Sequence, residues 1–216
     1  MADPLTLSAS ALTCQRGGRT VFRDLDFAVT AGEALLVTGR NGAGKSSLLR
    51  MIAGLIRIAG GTLSLAGGDA ERSIGEQAHY LGHSDALKPS LTVAENLAFW
   101  IAWLGGKGDP SGDPSSDLSS DPNQALGTVG LDSLVTLPAA YLSAGQRRRL
   151  SIARLIAVKR PLWLLDEPTS ALDTASQAML LDLMRTHVQR GGIVVAATHL
   201  PLGLEDAREL KLERAS

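Results

Sequence analysis

Short runs of hydrophobic residues, interrupted by glycine, mark the first third of the chain as a series of strands. The segments "LTLSAS", "RTVFRDLDFAV" and "ALLVTG" are separated by Gly17-Gly18 and by Ala31-Gly32-Glu33. Glycine pairs and short polar breaks between strand-like runs are typical of hairpins, so this pattern predicts an antiparallel start. A further strand is predicted at "GGTLSLAGGD", Gly60 to Asp69.

Longer patterns later in the chain alternate between strands and helices. The runs "LWLLDE" (162–167) and "IVVAATH" (193–199) lack alternation of apolar and polar positions, which is expected of strands covered on both faces. Apolar residues recur with helical spacing in 143–158, where Ser143 is placed to cap the first turn, and in 176–190. Strands that alternate with helices predict a largely parallel α/β sheet.

A different pattern occupies the middle of the chain. The segment Leu97 to Leu104, "LAFWIAWL", is apolar on nearly all sides, so we expect a helix that buries several faces. The following residues, 105–124, contain Leu118 as their sole apolar side chain. That composition cannot offset the entropy lost on ordering, so we expect a flexible surface insertion.

Composition excludes some classes of protein. The 216 residues carry a net charge of −1, which gives no general attraction to nucleic acid, and one cysteine excludes an internal disulfide. No apolar run approaches the roughly 20 residues that span a bilayer. The first residues, "MADPLTLSAS", lack the basic and apolar regions of a signal peptide. We therefore expect a protein that is soluble on its own.

A phosphate-binding loop follows the third predicted strand. The pattern is Gly39-x-x-x-x-Gly44-Lys45-Ser46, with Leu48, Leu49 and Ile52 on one face of a helix after it. Glycines allow backbone N–H groups to surround phosphates, Lys45 supplies positive charge, and the Ser46 hydroxyl can coordinate Mg²⁺. The predicted nucleotide-binding residues of this loop are Gly39, Arg40, Asn41, Gly42, Ala43, Gly44, Lys45, Ser46 and Ser47.

Two further segments carry candidate chemistry. Asp166 and Glu167 end the strand "LWLL", where one carboxylate can hold a magnesium ion and its neighbour can orient and deprotonate an attacking water. The segment "LSAGQRRRL", Leu142 to Leu150, is a capped helix start whose N–H groups could bind an anion. From the residues alone the function of this second segment stays ambiguous.

In their order along the chain, "GRNGAGKS", "LSAGQ", "LWLLDEP", "SALD" and "ATH" resemble the motifs of the ATP-binding cassette (ABC) family, the ATP-hydrolysing subunits of ABC transporters. The resemblance covers nearly the whole chain. It implies an α/β P-loop NTPase fold with a RecA-like core, an N-terminal antiparallel β subdomain and a helical signature subdomain. We accordingly expect a single domain, 1–216, with the helical subdomain at about 84–160.

The resemblance also implies individual roles. Lys45 and Ser46 match the loop lysine and the magnesium serine, Asp166 the magnesium acid and Glu167 the catalytic base. In this family the signature contacts the γ-phosphate of ATP held by the opposite subunit, and a coupling aspartate and a switch histidine complete the site. The matching residues are Ser143, Gly145 and Gln146 for the signature, Asp173 for the coupling loop and His199 for the switch. These roles imply that the active enzyme is a dimer of two cassettes using ATP and Mg²⁺.

Three positions depart from the family pattern. Ala144 stands where the signature usually has a glycine, and His83 stands where a glutamine usually reaches the metal site. His83 is either a metal-site residue sensitive to pH or an ordinary exposed histidine. The usual aromatic residue that stacks on adenine is missing; Arg16 is the candidate in its place, with Phe22 as the alternative.

Within the family, the runs "AFW", "LSAGQRRRL" and "ATHLPL" and the histidine at 83 resemble the ATP-binding subunits of cytochrome c maturation systems. That resemblance implies integral membrane partners, a peripheral location on the cytoplasmic face of the inner membrane, and ATP hydrolysis that serves haem export or release of a haem-loaded chaperone. The helix with Trp100 and Trp103 is a candidate contact for a membrane subunit, or packs within the helical subdomain. The alternatives are another ABC exporter and a soluble ABC ATPase without a transport role; no nucleic-acid partner is expected.

Overall fold

The structure is a computed structural model of the chain and describes residues 4–105, 121–198, 204 and 206–213. The chain divides into two compact units. The first contains the residues up to 83, together with 161–168 and those from 181 onward, and the second contains 84–160 and 169–180.

The first unit contains two sheets. Its described strands are β1 (Thr6–Arg16), β2 (Arg19–Thr30), β3 (Ala34–Thr38), β4 (Gly60–Ala66), β5 (Ala78–Leu81), β6 (Leu162–Asp166), β7 (Ile193–Ala197) and β8 (Arg208–Lys211). One sheet has the order β2-β1-β4, with β1 antiparallel to both neighbours. Gly17 and Gly18 form the turn between β1 and β2 with φ of 54° and 75°, a backbone conformation that residues with a Cβ rarely adopt. The predicted antiparallel start is confirmed for these strands.

The second sheet is parallel and has the order β5-β6-β7-β3-β8. Every residue of β6 and β7 is buried, as the absence of alternation predicted. Strand β3 belongs to this sheet, between β7 and β8, so grouping it with the antiparallel start was wrong. The edge strand β8, "RELK", is largely polar and gave no strand signal in the sequence.

Helix α1 (Lys45–Ile52) packs on this sheet and forms part of the core. Its apolar face, Leu48, Leu49 and Ile52, is fully buried, as the sequence pattern predicted. These side chains belong to one cluster with residues of both sheets, including Leu7 and Val195. The burial of this face fixes α1, and with it the phosphate-binding loop at its start, against β6 and β7.

The second unit is largely helical. It contains α2 (Val93–Leu104), α3 (Pro122–Thr128), α4 (Ala144–Ala157) and the first residues of α5 (Thr174–Gln189). Helices α2 and α4 begin with capping boxes, Thr92 with Glu95 and Ser143 with Gln146, which confirms the predicted cap at Ser143. No helix among the described residues is long and apolar enough to cross a membrane.

Helix α3 begins inside the segment that the sequence assigned to an insertion at 105–124. Asp121 accepts a hydrogen bond from the backbone N–H of Asn123, and Pro122 is the first helical residue. Gly105 is the C-cap of α2, and 106–120 lie outside the described residues. The helix therefore takes in the last three residues of the predicted insertion.

Helix α2 does not bury several faces, contrary to the expectation from its apolar composition. Phe99 and Trp103 are 54% and 70% exposed and stack on each other with ring centroids 6.4 Å apart. Trp100 instead lies against α4: the guanidinium carbon of Arg154 is 4.4 Å from its ring centroid, and its indole N–H donates to the Ala86 carbonyl at 3.1 Å. Of the three aromatic side chains of this helix, one therefore packs within the unit and two are exposed.

His187, on the part of α5 that belongs to the first unit, packs against Trp163 of β6. The two rings stack with centroids 4.1 Å apart, and Nε2 lies 3.2 Å from the Pro161 carbonyl. Burial lowers the pKa of His187 to about 4, against a smaller opposing contribution from its backbone hydrogen bonds. The folded protein therefore favours the neutral imidazole.

This histidine predicts a loss of stability at mildly acidic pH. Because its pKa is lower in the folded than in the unfolded chain, its contribution is complete above about pH 6.5 and is lost as the pH falls toward 4. Allowing for partial exposure of the ring, the free energy of unfolding should fall by about 1–2 kcal/mol more between pH 7.5 and 5.0 in wild type than in His187→Gln. Urea unfolding at both pH values measures this difference. The control is His83→Gln, at an exposed histidine, and equal pH dependence in wild type and His187→Gln would contradict the prediction.

Candidate functional site

The loop between β3 and α1 has a conformation that requires its glycines. Gly39, Gly42 and Gly44 have φ of 134°, 82° and 107°. A Cβ on Gly44 would lie 2.6 Å from Cγ1 of Val21, and one on Gly39 would collide with the carbonyl of Leu212. Side chains at these positions would displace the loop, so the backbone can surround an anion only with glycine here.

Lys45 and Ser46 stand at the start of α1, directly after this loop. The Lys45 side chain is buried, and its ammonium donates to the Gly39 carbonyl at 2.8 Å, which places the charge within the loop. No side chain caps the N-terminus of this helix. Its first N–H groups and the positive end of its dipole face the loop that precedes it. Of the other predicted loop residues, Arg40 and Asn41 are exposed, Ala43 is buried and Ser47 is half-buried.

Asp166 and Glu167 lie at the carboxyl end of β6. The Ser46 hydroxyl donates to Oδ1 of Asp166 at 2.9 Å, which joins the helix start to the strand end. Hydroxyl and carboxylate oxygens are ligand atoms that suit Mg²⁺. Their contact beside a phosphate-binding loop fits an ion that bridges protein and phosphates. Ser46 and Asp166 could hold a magnesium ion here, and such an ion would neutralise developing negative charge on the phosphates.

Glu167 has an unusual backbone. Its φ is 46°, the left-handed region that residues with a Cβ rarely occupy, and its N–H donates to the Ala197 carbonyl of β7 at 2.9 Å. The extended backbone of β6 ends before this residue, and Glu167 is half-buried whereas Asp166 is buried. The two adjacent carboxylates therefore differ in environment, as two different tasks require.

The second unit positions the signature residues at the start of α4. The Ser143 hydroxyl accepts from the Gln146 N–H at 3.2 Å, while the Gln146 side-chain oxygen accepts from the Ser143 N–H at 2.8 Å. A Cβ on Gly145 would be 3.1 Å from the carbonyl of Ala171, so this glycine allows close approach of the loop before α5. Ala144, the departure from the family pattern, is exposed and is the first residue of the helix.

Asp173 lies in the same unit, at the start of α5. Its carboxylate accepts from the Ser176 N–H at 2.8 Å. Hydrogen bonds from Ser176 lower the pKa of Asp173, with a smaller effect from the charge of Arg149 on α4. The aspartate thus caps α5, and the positive charge of Arg149 favours its ionised form.

Three other predicted site residues remain to be placed. His199 lies outside the described residues. His83 and Arg16 are exposed, the former after β5 and the latter at the end of β1. Phe22, the alternative to Arg16 for stacking on adenine, is buried in the core and lies against Gly44, so it supports the loop and presents no face to a base.

Sequence reasoning missed two residues near the Asp166 carboxylate: Tyr80 contacts it, and Arg50 contacts Tyr80. Tyr80 of β5 has its hydroxyl 3.5 Å from Oδ2 of Asp166, and Arg50 of α1 donates to the same hydroxyl at 3.1 Å. These residues lie 86 and 30 positions away along the chain from their respective partners. No spacing in the sequence connects them, because these contacts form only when β5 pairs with β6 in the sheet.

Residues 22–170 match the family model described as ABC transporter, and this range includes the phosphate-binding loop, the strand-end acids and the capped signature helix. The chain belongs to the ABC transporter family and is an ABC-type ATPase. The fold is similar to that of solved ABC proteins. An ATP-binding subunit of an ABC transporter has a TM-score of 0.79 at 23% identity, over 96% of this chain and 85% of that one. An ABC transporter ATP-binding protein from Pyrococcus furiosus has a TM-score of 0.77 at 20% identity, over 96% and 97% of the two chains.

Curated relatives are much more similar in sequence. The chain is 58% identical to the cytochrome c biogenesis ATP-binding export protein CcmA of Bradyrhizobium diazoefficiens, over 96% of this chain and 98% of the relative. It is 59% identical to the protein of the same name from Rhodopseudomonas palustris, over 98% and 100% of the two chains. Within the ABC family, the chain therefore belongs to the group of CcmA proteins.

Proposed function

We propose that this chain binds ATP with Mg²⁺ and hydrolyses it in cytochrome c biogenesis. The observation that supports this most is the full-length similarity to proteins named for that role, at 58–59% identity. In the site, the loop 39–47 would bind the phosphates, and Ser46 and Asp166 would hold the ion. Glu167 would orient and deprotonate the attacking water, with His199 sensing the γ-phosphate.

A second copy of the chain would complete each site. The Ser143 hydroxyl accepts the Gln146 N–H and is exposed, so its own proton would be available to a phosphate oxygen. Gly145 and Gln146 would contact the same phosphate, and Asp173 would couple the two sites of the dimer. The exposed Arg16 is the candidate for the adenine, and the exposed His83 for a water on the metal.

The partners in this proposal are integral membrane subunits of a haem or cytochrome c maturation complex. The chain would be a peripheral subunit on the cytoplasmic face of the inner membrane, as a single cassette with a helical subdomain at about 84–160. The exposed pair Phe99 and Trp103 is compatible with a contact to a membrane subunit. ATP hydrolysis would drive export of haem or release of a haem-loaded chaperone.

A covalent-haem stain of c-type cytochromes tests the biological role. In native cells whose sole copy of the gene encodes Glu167→Gln, we expect the stain to be lost and to be rescued by the wild-type chain. A strain encoding Glu71→Gln, which removes an exposed carboxylate of the same type, should stain normally. Normal staining in the Glu167→Gln strain would contradict the role in cytochrome c biogenesis and favour another ABC exporter.

A further inference from the structure

A polar chain in the first unit connects α1, β5 and β6 at the place proposed for magnesium. Arg50 Nε donates to the hydroxyl of Tyr80 at 3.1 Å. That hydroxyl donates in turn to Oδ2 of Asp166 at 3.5 Å, while Oδ1 of the same carboxylate accepts from Ser46 at 2.9 Å. The two oxygens of Asp166 therefore have different partners.

The direction of these hydrogen bonds follows from the donor inventory. Arginine can only donate, so the Tyr80 oxygen must accept from Arg50. The phenol has one proton, and with Arg50 occupying a lone pair that proton is directed at Asp166. Arg50 thus determines that the Tyr80 hydroxyl donates to Asp166. Tyr80 holds Oδ2 of that carboxylate, and Oδ1 remains hydrogen-bonded to Ser46.

The ring of Tyr80 is fixed by its neighbours. Tyr80 lies half-buried on β5, the strand hydrogen-bonded to β6, and its register partner is Leu164, two residues before Asp166. A Cβ on Gly82 would lie 3.0 Å from both Cε1 and the hydroxyl of Tyr80. Gly82 therefore leaves the space that the phenol occupies, and an alanine there would press on the end of the ring that reaches Asp166.

We propose that Tyr80, oriented by Arg50, is a positioning residue that holds the Asp166 carboxylate in the orientation required for the metal ion. This inference rests on the proposed magnesium role of Ser46 and Asp166. Groups that hydrogen-bond to a metal ligand fix its orientation, and losing such a group typically costs 10–100-fold in metal affinity. Since the contact to Oδ2 is long, the effect here should be smaller, roughly 3- to 10-fold.

Binding of Mn²⁺ in place of Mg²⁺ tests the role independently of turnover. The wild-type chain with a non-hydrolysable ATP analogue is titrated with Mn²⁺, and electron paramagnetic resonance measures the unbound ion. Tyr80→Phe should raise the Kd for Mn²⁺ by roughly 3- to 10-fold, and Arg50→Met and Gly82→Ala should raise it in the same direction. Affinity for the nucleotide measured in EDTA should stay within about twofold of wild type, because these residues do not belong to the phosphate loop.

Two controls separate the possible failures. Tyr141→Phe removes the hydroxyl of the other tyrosine, which is 75% exposed, and should leave the Kd for Mn²⁺ unchanged. Asp166→Asn should weaken Mn²⁺ binding more than any other variant. An unchanged Kd in Asp166→Asn would overturn the magnesium assignment itself. A weakened Asp166→Asn beside a wild-type Kd in Tyr80→Phe would overturn the positioning role alone.

A steady-state measurement adds a second readout. In Tyr80→Phe, the Mg²⁺ concentration that gives half-maximal ATPase activity should rise, while the rate at saturating Mg²⁺ should approach that of wild type. General loss of folding would lower the rate at all Mg²⁺ concentrations and would lower the thermal unfolding midpoint. A reduced rate at saturating Mg²⁺ with an unchanged half-maximal concentration would contradict the proposal.

Discussion

Glu167→Gln is expected to retain ATP binding and to lose ATP hydrolysis by a factor of about 100 or more. The amide keeps the size and shape of the side chain but cannot accept the proton of an attacking water, and general-base catalysis is typically worth 10²–10⁴-fold. The φ of 46° at this residue is set by the backbone and the hydrogen bond to Ala197, neither of which the substitution changes. The measurement is steady-state phosphate release at saturating ATP and Mg²⁺, beside nucleotide titration.

The same variant should accumulate as a dimer when ATP is present. If each ATP is held between one copy and the signature of another, a complex that cannot hydrolyse ATP loses its route to dissociation. Size-exclusion chromatography with ATP and Mg²⁺ should show the dimer for Glu167→Gln and little of it for wild type. Glu71→Gln is the matched control, and equal phosphate release by wild type and Glu167→Gln would refute the role of Glu167 as the base.

Lys45→Met is expected to weaken binding of ATP by roughly 10- to 100-fold, which corresponds to the 1.5–3 kcal/mol typical of a hydrogen bond to a charged group. Lys45 is buried within the loop and its ammonium lies 2.8 Å from the Gly39 carbonyl, so its charge is held where the phosphates would bind. Methionine retains most of the aliphatic stem that fills this space, which makes it a better test than truncation to alanine.

Fluorescent-nucleotide titration measures this loss of affinity. Lys159→Met, at an exposed lysine in the second unit, should bind as tightly as wild type. Thermal unfolding without nucleotide shows whether Lys45→Met remains folded, and at the same ATP concentration the unfolding midpoint of this variant should rise less than that of wild type. A wild-type affinity in a folded Lys45→Met protein would mean that the loop does not bind the phosphates as assigned.

Local patterns in the sequence were sufficient to predict the loop, strand and helices that carry the candidate site. The glycine spacing before Lys45, the apolar run that ends at Asp166 and the cap at Ser143 each depend on neighbouring residues, and each appears in the structure at the predicted place. Glycines at positive φ, buried parallel strands and helix caps are determined by the chemistry of a few consecutive residues. For this reason the phosphate loop and the strand-end acids could be predicted without knowledge of the tertiary fold.

Features that depend on distant residues could not be predicted in this way. Strand β3 is parallel because β7, which lies more than 150 positions later, pairs with it, and Phe22 is buried because it belongs to the core cluster that both sheets share. The exposure of Phe99 and Trp103 shows that apolar composition alone does not determine which face of a helix is covered.

What the sequence determined by itself was the family and the local motifs of the candidate site, because each motif is formed by a few consecutive residues. What only the tertiary structure decided was which side chains surround them. The contact of Ser46 with Asp166 spans 120 positions, and that of Tyr80 with Asp166 spans 86. The physical reason is that side-chain contacts across a parallel sheet depend on the order of its strands, which no local pattern of residues specifies.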